Sequence, residues 1–423
     1  MASKLKPSEY LKKEIEEIIH SKSEDIFSDF IRKSSSLVLQ NSLEEEVTDF
    51  LERKWHKPHN SENTSKGYRN GYYDRKIKSC EGQLDIKVPR VRDNEDDYES
   101  SIMNHIKSLE TKLEKLTVEM YVRGLSTRDI EDTFVDDTGK TYLSRSVVSG
   151  ITDSLYEEYR SFSERDLSKY DIVYLFVDGV YESVRNYTNN QTILCAWAIC
   201  SDQSKVLLHI EVAQSESTES WADFFEGMLD RGLRQPLMVI SDGHKGLKKA
   251  IRQVFPRARR QRCIAHKMRN ILNKLPHHAR DEVKIFVRSV YYAPDRETAE
   301  LIACQIIEKY SDMYPTMVKC FQEDIASCLT HLDFPQGHRR HIRTTNLIER
   351  AFVEEKRRTK IIPQHQNEKG AMKLVYGTLI RSAKRWQRVT MNNLDLTILR
   401  NLKKTITGDT TSEEDMISYI EAA

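Results

Sequence analysis

The sequence predicts an α/β protein: a mixed sheet with helices on its faces, set between helical regions. Three observations carry this. Apolar runs with strand character cluster between residues 170 and 266. Two of them end in the same Asp-Gly pair, and an amphipathic helical pattern lies between those two. Before and after this stretch, apolar residues recur at helical spacing. With 423 residues, the chain has room for two to four domains of ~100–200 residues each. Hydrophobic residues at 39% and charged residues at 31% give a polar but globular balance. Lys+Arg at 66 against Asp+Glu at 65 leaves a net charge of +1. A uniformly basic nucleic-acid coat is thereby excluded, and any DNA contact must come from local patches. No stretch approaches the ~20 apolar residues that span a membrane. The N-terminus has no apolar signal core, so a cytoplasmic, nucleoid-associated protein is expected. The seven cysteines are odd in number and scattered, which fits reduced thiols.

In chain order, residues 5–56 read as helical, from Leu11, Ile15, Ile18 and Ile19 and then Phe27, Phe30, Ile31 and Leu37. Residues 57–75 hold Pro, Gly, Asn and Ser and read as an irregular linker. QLDIKVPRVR alternates Leu84, Ile86 and Val88 as a short β segment, and an acidic run from Asp93 to Glu99 follows as a solvated loop. A helix over 106–122, a turn at Gly124-Leu125-Ser126, a helix from Thr127 and a third capped near Ser144 carry the cues of a helix-turn-helix unit. An ordinary small helical bundle has the same cues. DIVYLFVDGV, TILCAWAIC (192–200) and KVLLHIEVA (205–213) read as strands, with Ser201-Asp202-Gln203 as a hairpin turn. Residues 218–232 form an amphipathic helix with Trp221, Phe224, Phe225, Met228 and Leu229. PLMVISD (236–242) is a buried strand, 244–255 a helix and 259–266 a last strand. Residues 267–335 are helical, as are 345–360 and 366–385. The acidic tail from Gly408 is expected to fray.

Two acids stand out. Asp178 closes VYLFVDG and Asp242 closes LMVISDG. A carboxylate at the C-terminal end of a buried strand sits where ligands bind in α/β folds. On neighbouring strands such a pair repels itself unless a cation lies between. Mg²⁺ needs only a few carboxylates plus substrate phosphates. Glu349 is the best third acid. It lies in RTTNLIERAFVEEKRRTKII, with Thr344 and Thr345 suited to cap a helix and Asn346 on its own face. Residues 339–360 hold eight basic residues, among them Arg350, Lys356, Arg357 and Arg358, against three acidic ones. An acid among cations suits a metal site beside a phosphate backbone; a helix laced with i,i+4 ion pairs reads the same way. Residues 245–274 hold eleven basic residues, including Arg259, Arg260 and Arg262, and no acid. They read as a phosphate track. Cys263 and His266 have C-x-x-H spacing, which is half a zinc site. A structural zinc needs four ligands, and His277, His278 and Cys304 offer no convincing spacing. A neutral imidazole near a reacting phosphate, or packing at a strand end, fits better.

The motifs together resemble the Mutator-type transposases of bacterial insertion sequences, which are DDE enzymes. The matching pieces stand in order from about Tyr68 to Arg400: YRNGYYDRKI, LDIKVPRVRD, MYVRGLSTRDIEDTF, SRSVVSGITD, FVDGVYESVR, ESTESWADFFEGMLDRGL, ISDGHKGLKKAI, FPRARRQRCIAHKMRN and RTTNLIERAFVEEKRRTKII. The resemblance implies a ribonuclease H-like core with an all-helical insertion, preceded by a helix-turn-helix-like DNA-binding region. It makes Asp178, Asp242 and Glu349 the catalytic, metal-binding acids. It matches Cys263 and His266 to the family's C-x-x-H signature and Trp221 to its tryptophan between the Asp motifs. It implies two Mg²⁺ ions, with Mn²⁺ as a substitute. It also implies double-stranded DNA partners (terminal inverted repeats and target) and a homodimer or larger assembly on DNA. The expected division is 1–100 as a helical region with linker and β segment, 101–165 as the DNA-binding domain and 166–266 as the first part of the core. After these come 267–338 as the insertion, 339–407 as the second part and 408–423 as the tail. A nuclease that cuts without joining, or a catalytically silent DNA-binding descendant, would share much of this pattern.

Overall fold

The computed structural model describes residues 6–20, 26–54, 67–79, 82–92, 98–135, 141, 143–182, 191–360, 365, 367–384 and 389–407. Cys80, residues 57–66 of the expected linker, most of the acidic run from Asp93 and the tail from Gly408 lie outside the described residues. The chain forms two compact units, residues 1–154 and 155–423. Among the described residues no helix is long and apolar enough to cross a membrane. Cys195, Cys200, Cys263, Cys304, Cys320 and Cys328 are free thiols.

The first unit begins with α1 (Pro7–Ile19) and α2 (Ile26–Phe50), followed by a hairpin of β1 (Tyr68–Ser79) and β2 (Gly82–Arg92). The linker expected over 57–75 is therefore corrected from Tyr68 onward. YRNGYYDRKI is Gly- and Asn-containing but pairs along its length with β2, Ile77 opposite Leu84 and Tyr73 opposite Val88. Gly71, at φ 71°, sits where the register shifts between Arg69 and Tyr72, so the turn-like residues mark a bulge inside a strand. Leu84, Ile86 and Val88 bury one face of β2 with Leu43, Met103 and Ile106. The helices α3 (Ser101–Val122) and α4 (Thr127–Thr133) follow, and then α5 (Arg145–Glu164), of which residues 145–154 belong to this unit. The α3–α4 turn has Gly124 at φ 105°, a left-handed conformation that favours glycine. Ser126 and Asp129 cap α4 reciprocally. Ile130, Leu143 and Val148 form a small core beside them.

The second unit holds β3 (Ile172–Glu182), β4 (Gln191–Cys200), β5 (Lys205–Ala213), α6 (Thr218–Asp230), β6 (Met238–Ser241), α7 (Lys245–Val254) and β7 (Arg259–Arg262). This is the predicted β-β-β-α-β-α-β order. The sheet order is β5-β4-β3-β6-β7, with β5-β4-β3 antiparallel and β3-β6-β7 parallel. One face packs on Trp221, Phe224, Phe225, Leu247 and Ile251 from α6 and α7. The helices α8 (Ile264–Leu272), α9 (Arg280–Tyr291), α10 (Arg296–Tyr310), α11 (Pro315–Gln322) and α12 (Ile325–Cys328) build their own core around Ile271, Val287, Tyr291 and Phe321. Then come α13 (Gln336–Ile342), α14 (Asn346–Thr359), α15 (Glu368–Lys384) and α16 (Asn393–Thr407). Ile348, Phe352, Val375 and Leu379 cover the other sheet face, against Tyr174, Phe176, Trp197 and Ile240.

Trp221 is fully buried, stacked on Phe225 at 5.7 Å and edge-on to Phe224 at 5.5 Å. Trp221→Ala should therefore destabilise the second unit by ~3–5 kcal/mol through the cavity it leaves. Denaturant unfolding followed by far-UV circular dichroism checks this, and a loss below ~1 kcal/mol would contradict the packing role.

Candidate active site

Strand register brings the two Asp-Gly motifs together. Phe176 of β3 pairs in parallel with Ile240 of β6, and Asp178 and Asp242 each lie two residues further on. Asp178 does not end its strand as expected. β3 continues to Glu182 because it stays paired with β4, Asp178 opposite Cys195 and Glu182 opposite Gln191. Only β6 stops at Ser241. Asp242 then turns the chain, its Oδ1 accepting the His244 N–H at 2.9 Å. Asp178 Oδ1 accepts the Gly179 N–H at 3.0 Å. The Asp178 carboxyl is pushed up to about 7, first by burial and then by the Asp242 carboxylate, with Glu349 adding to the repulsion.

Alternation along β3 puts Tyr174, Phe176 and Asp178 on the face covered by α14, and that is how Glu349 arrives. Thr345 precedes α14 but does not cap it. Its hydroxyl lies 2.8 Å from Glu349 Oε1 and 3.3 Å from Cys263 Sγ, and its N–H donates to the same sulfur at 3.3 Å. Cys263 is fully buried at the β7–α8 junction, its N–H bonded to Ser241 O at 2.8 Å. His266 Nδ1 lies 3.8 Å from Glu349 Oε1. Donor atoms of Cys263, His266 and Glu349 all fall within 4.8 Å of one another. Burial pushes the Cys263 thiol up, but His266 and Thr345 more than offset this, and the thiol ends below its ordinary range. The Cys263 thiol raises the His266 ring to about 9 against the effect of burial, helped by Glu349 and Asp178. The sequence could not show these neighbours, because Glu349 and Asp178 reach His266 from elements remote in the chain.

Other expected residues sit differently. Trp221 belongs to the core under the sheet. Asn346 and Arg350 are exposed, as are Lys356 and Arg357. Arg357 and Arg358 share Glu354 at 2.5 and 2.8 Å, so part of this helix is the ion-pair lattice that its sequence also allowed. Arg262 is buried and Arg260 half-buried. Both are held by Asp324, together with Lys248 at 2.7 Å. The acid missing from segment 245–274 therefore comes from far along the chain. Arg259 is exposed, 3.8 Å from Asp333.

Sequence reasoning missed three acids. Glu216 opens the ESTESW motif. Its carboxyl is pushed up by burial and then by Asp242. A Cβ on Gly179 would stand 2.5 Å from Glu216 Oε1, so glycine after Asp178 makes room for this side chain. Four residues along β3 from Asp178, Glu182 meets Glu355 of α14. Thr359 Oγ1 donates to Glu182 at 3.5 Å, and His365 Nε2 lies 3.7 Å away. Glu355 is fully buried, and burial followed by the Glu182 charge raises it to about 8. The alternation of β3 is the signal that could have found Glu182.

The chain matches the family described as "Transposase, Mutator family" over residues 8–389, reaching further toward the N-terminus than the motifs from Tyr68. It is 31% identical over 89% of its length, and 93% of the relative's, to the transposase for insertion sequence element ISRM5 of Rhizobium meliloti (strain 1021). It is 30% identical to the transposase for IS256 in transposon Tn4001 of Staphylococcus aureus, over 88% of this chain and 94% of that one. To the transposase for IS406 of Burkholderia multivorans (strain ATCC 17616 / 249) it is 32% identical over 78% and 85%.

The folded chain binds the Glu355 proton more tightly than the unfolded chain does. That stability is fully present below the ordinary carboxyl range and is lost as pH rises toward 8. Glu355→Gln keeps a donor facing Glu182 without the ionisation. It should raise the thermal midpoint at pH 8, by roughly 2–4 °C per kcal/mol gained, and lose that advantage at pH 5. Thermal melts at the two pH values check the sign.

Proposed function

Because the chain belongs to the Mutator family of transposases, we propose that it cuts and joins DNA at the ends of an insertion sequence, using Asp178, Asp242 and Glu349 as its catalytic acids. The observation that carries this is the β3–β6 register, which leaves two carboxylates side by side with Glu349 beside them. The sheet order and its antiparallel-then-parallel pattern support a ribonuclease H-like core, with α8–α12 as its helical insertion. The turn at Gly124 and the reciprocal cap at Ser126 support reading of terminal repeats by α3–α5.

The donor set fits Mg²⁺. It is all oxygen, and burial with mutual repulsion makes the apo arrangement unfavourable until a cation relieves it. Asp178, Asp242 and Glu349 would hold the ions, with Mn²⁺ as a substitute. When bound, such ions activate a water or a 3′-hydroxyl and stabilise the leaving oxygen of a phosphodiester. The protein's own work is placement. Thr345 and His266 orient Glu349, and the strand register fixes both aspartates. The exposed cations Arg350 and Lys356 on α14, with Lys245 and Lys249 on α7, neutralise phosphates. Joining two DNA ends calls for at least two copies on DNA.

Asp178→Asn, Asp242→Asn and Glu349→Gln should each reduce strand cleavage by several orders of magnitude while leaving folding and DNA affinity intact. The assay incubates the protein with DNA carrying the gene's flanking ends, in Mg²⁺ or EDTA, and maps new 3′-hydroxyls. Mg²⁺-dependent nicks at the repeat boundary are expected, and normal nicking by any of the three variants would sink the assignment. Affinity for the same DNA should fall steeply between 50 and 200 mM salt, by about 10-fold or more if several phosphates are neutralised. A flat profile in a salt titration would remove the basic residues from the DNA path.

A further inference from the structure

Cys263 and His266 are half of a zinc site by spacing, and the structure supplies a third donor that the sequence had placed elsewhere. Glu349 comes from α14, 83 residues beyond His266. The three donor atoms, one each of sulfur, nitrogen and oxygen, lie within 4.8 Å of one another. In a tetrahedral zinc site the ligand atoms sit ~3.3–3.8 Å apart, given metal–ligand distances of ~2.0–2.3 Å. Side-chain rotations of about an ångström close that gap. The set also has a supporting shell: Thr345 N–H and hydroxyl at 3.3 Å from the sulfur, and the same hydroxyl at 2.8 Å from Glu349 Oε1. Such outer contacts fix ligand orientation. A thiolate donor selects against Mg²⁺ and in favour of zinc-like cations. Three protein ligands leave a fourth position for water, as in open zinc sites.

We infer that Cys263, His266 and Glu349 form a site for a thiophilic divalent cation, zinc above all, and that filling it withdraws Glu349 from Asp178 and Asp242. The site is then an inhibitory switch on DNA cleavage. Binding releases the thiol proton, and any proton on His266, to solvent. The inhibitory half rests on the function proposed above, whereas the binding half does not.

Cobalt(II) titration of the full-length protein tests the binding half. One equivalent should give a thiolate-to-cobalt charge-transfer band and intense visible bands of a four-coordinate ion, both bleached by zinc. Cys263→Ser should abolish the charge-transfer band. His266→Ala and Glu349→Gln should weaken binding by at least ~10-fold. Circular dichroism verifies folding, and if Cys263→Ser fails to fold, the His266→Ala titration decides. No thiolate band in the wild type, a band that survives Cys263→Ser, or undiminished affinity in folded His266→Ala would each overturn the site. A band lost instead with Cys304 or Cys320 would do the same. In the nicking assay, sub-stoichiometric Mg²⁺ replacement by zinc should cut the wild-type rate at least tenfold. His266→Ala, compared with and without zinc within the same protein, should lose that sensitivity. Equal zinc sensitivity in the two proteins would overturn the inhibitory role. Absence of nicking in both would sink the proposed function and leave the cobalt result standing.

Discussion

Much of the second unit follows from one register. Phe176 pairs with Ile240, so two chain segments carrying Asp-Gly end up level with each other. Packing fixes this alignment. Leu175, Val177 and Val239 face α6 and α7, while Tyr174, Phe176 and Ile240 face α14 and α15. A slip of one residue would turn every one of these side chains to the wrong face. The fold therefore enforces a juxtaposition that electrostatics opposes, and the raised Asp178 carboxyl records that opposition. The site's charges oppose one another while its backbone is secured by apolar burial.

The same alternation organises what lies beyond Asp178. Alternate residues of β3 point to the sheet face that α14 helps cover, and on that face lie two acidic encounters: Asp178 with Glu349 and Glu182 with Glu355. They differ in access. Glu349 remains about one-third exposed, next to Thr345, Cys263 and His266, and can exchange partners. Glu355 is fully buried, and burial with the Glu182 charge raises its carboxyl. The inner pair is a packing feature of the helix, and the outer group is the one with room for chemistry.

The sequence was legible wherever local pattern decides structure. Strand runs, hairpin turn and amphipathic helices of the sheet region fell close to where expected, because periodicity and burial agree there, but the last strand, read over 259–266, ends at Arg262 and gives way to α8 at Ile264. It misled where one residue type serves two uses. Gly71 and its Asn neighbour read as linker but sit in a bulged strand. Asp178-Gly179 read as a strand end, yet the glycine instead clears space for Glu216. The sequence singled out Asp178, Asp242 and Glu349, whose charges the fold brings to bear on one another, but it did not show their environment. The upward shift of His266 comes first from Cys263 and then from Glu349 and Asp178, and Thr345 and Glu349 are brought to Cys263 by a helix remote in sequence. Nothing in C-x-x-H spacing encodes that.

Charge patterning shows the same limit from another side. Segment 245–274 carries no acid, yet Asp324 gathers Lys248, Arg260 and Arg262 into one largely buried node. On α14, Glu354 takes Arg357 and Arg358. A cation held this way is partly neutralised, and moving it to a phosphate would expose the acid it leaves. The node at Asp324 instead ties α7 and β7 to the loop before α12, beside the Cys263 junction. Basic residues in this chain thus divide by burial. Those inside, Lys248, Arg260 and Arg262, brace the sheet edge that carries Cys263, while Lys245, Lys249, Arg350 and Lys356 stand exposed to solvent. A net charge of +1 thus says little about any one surface, because burial and pairing decide which cations still present their charge to solvent.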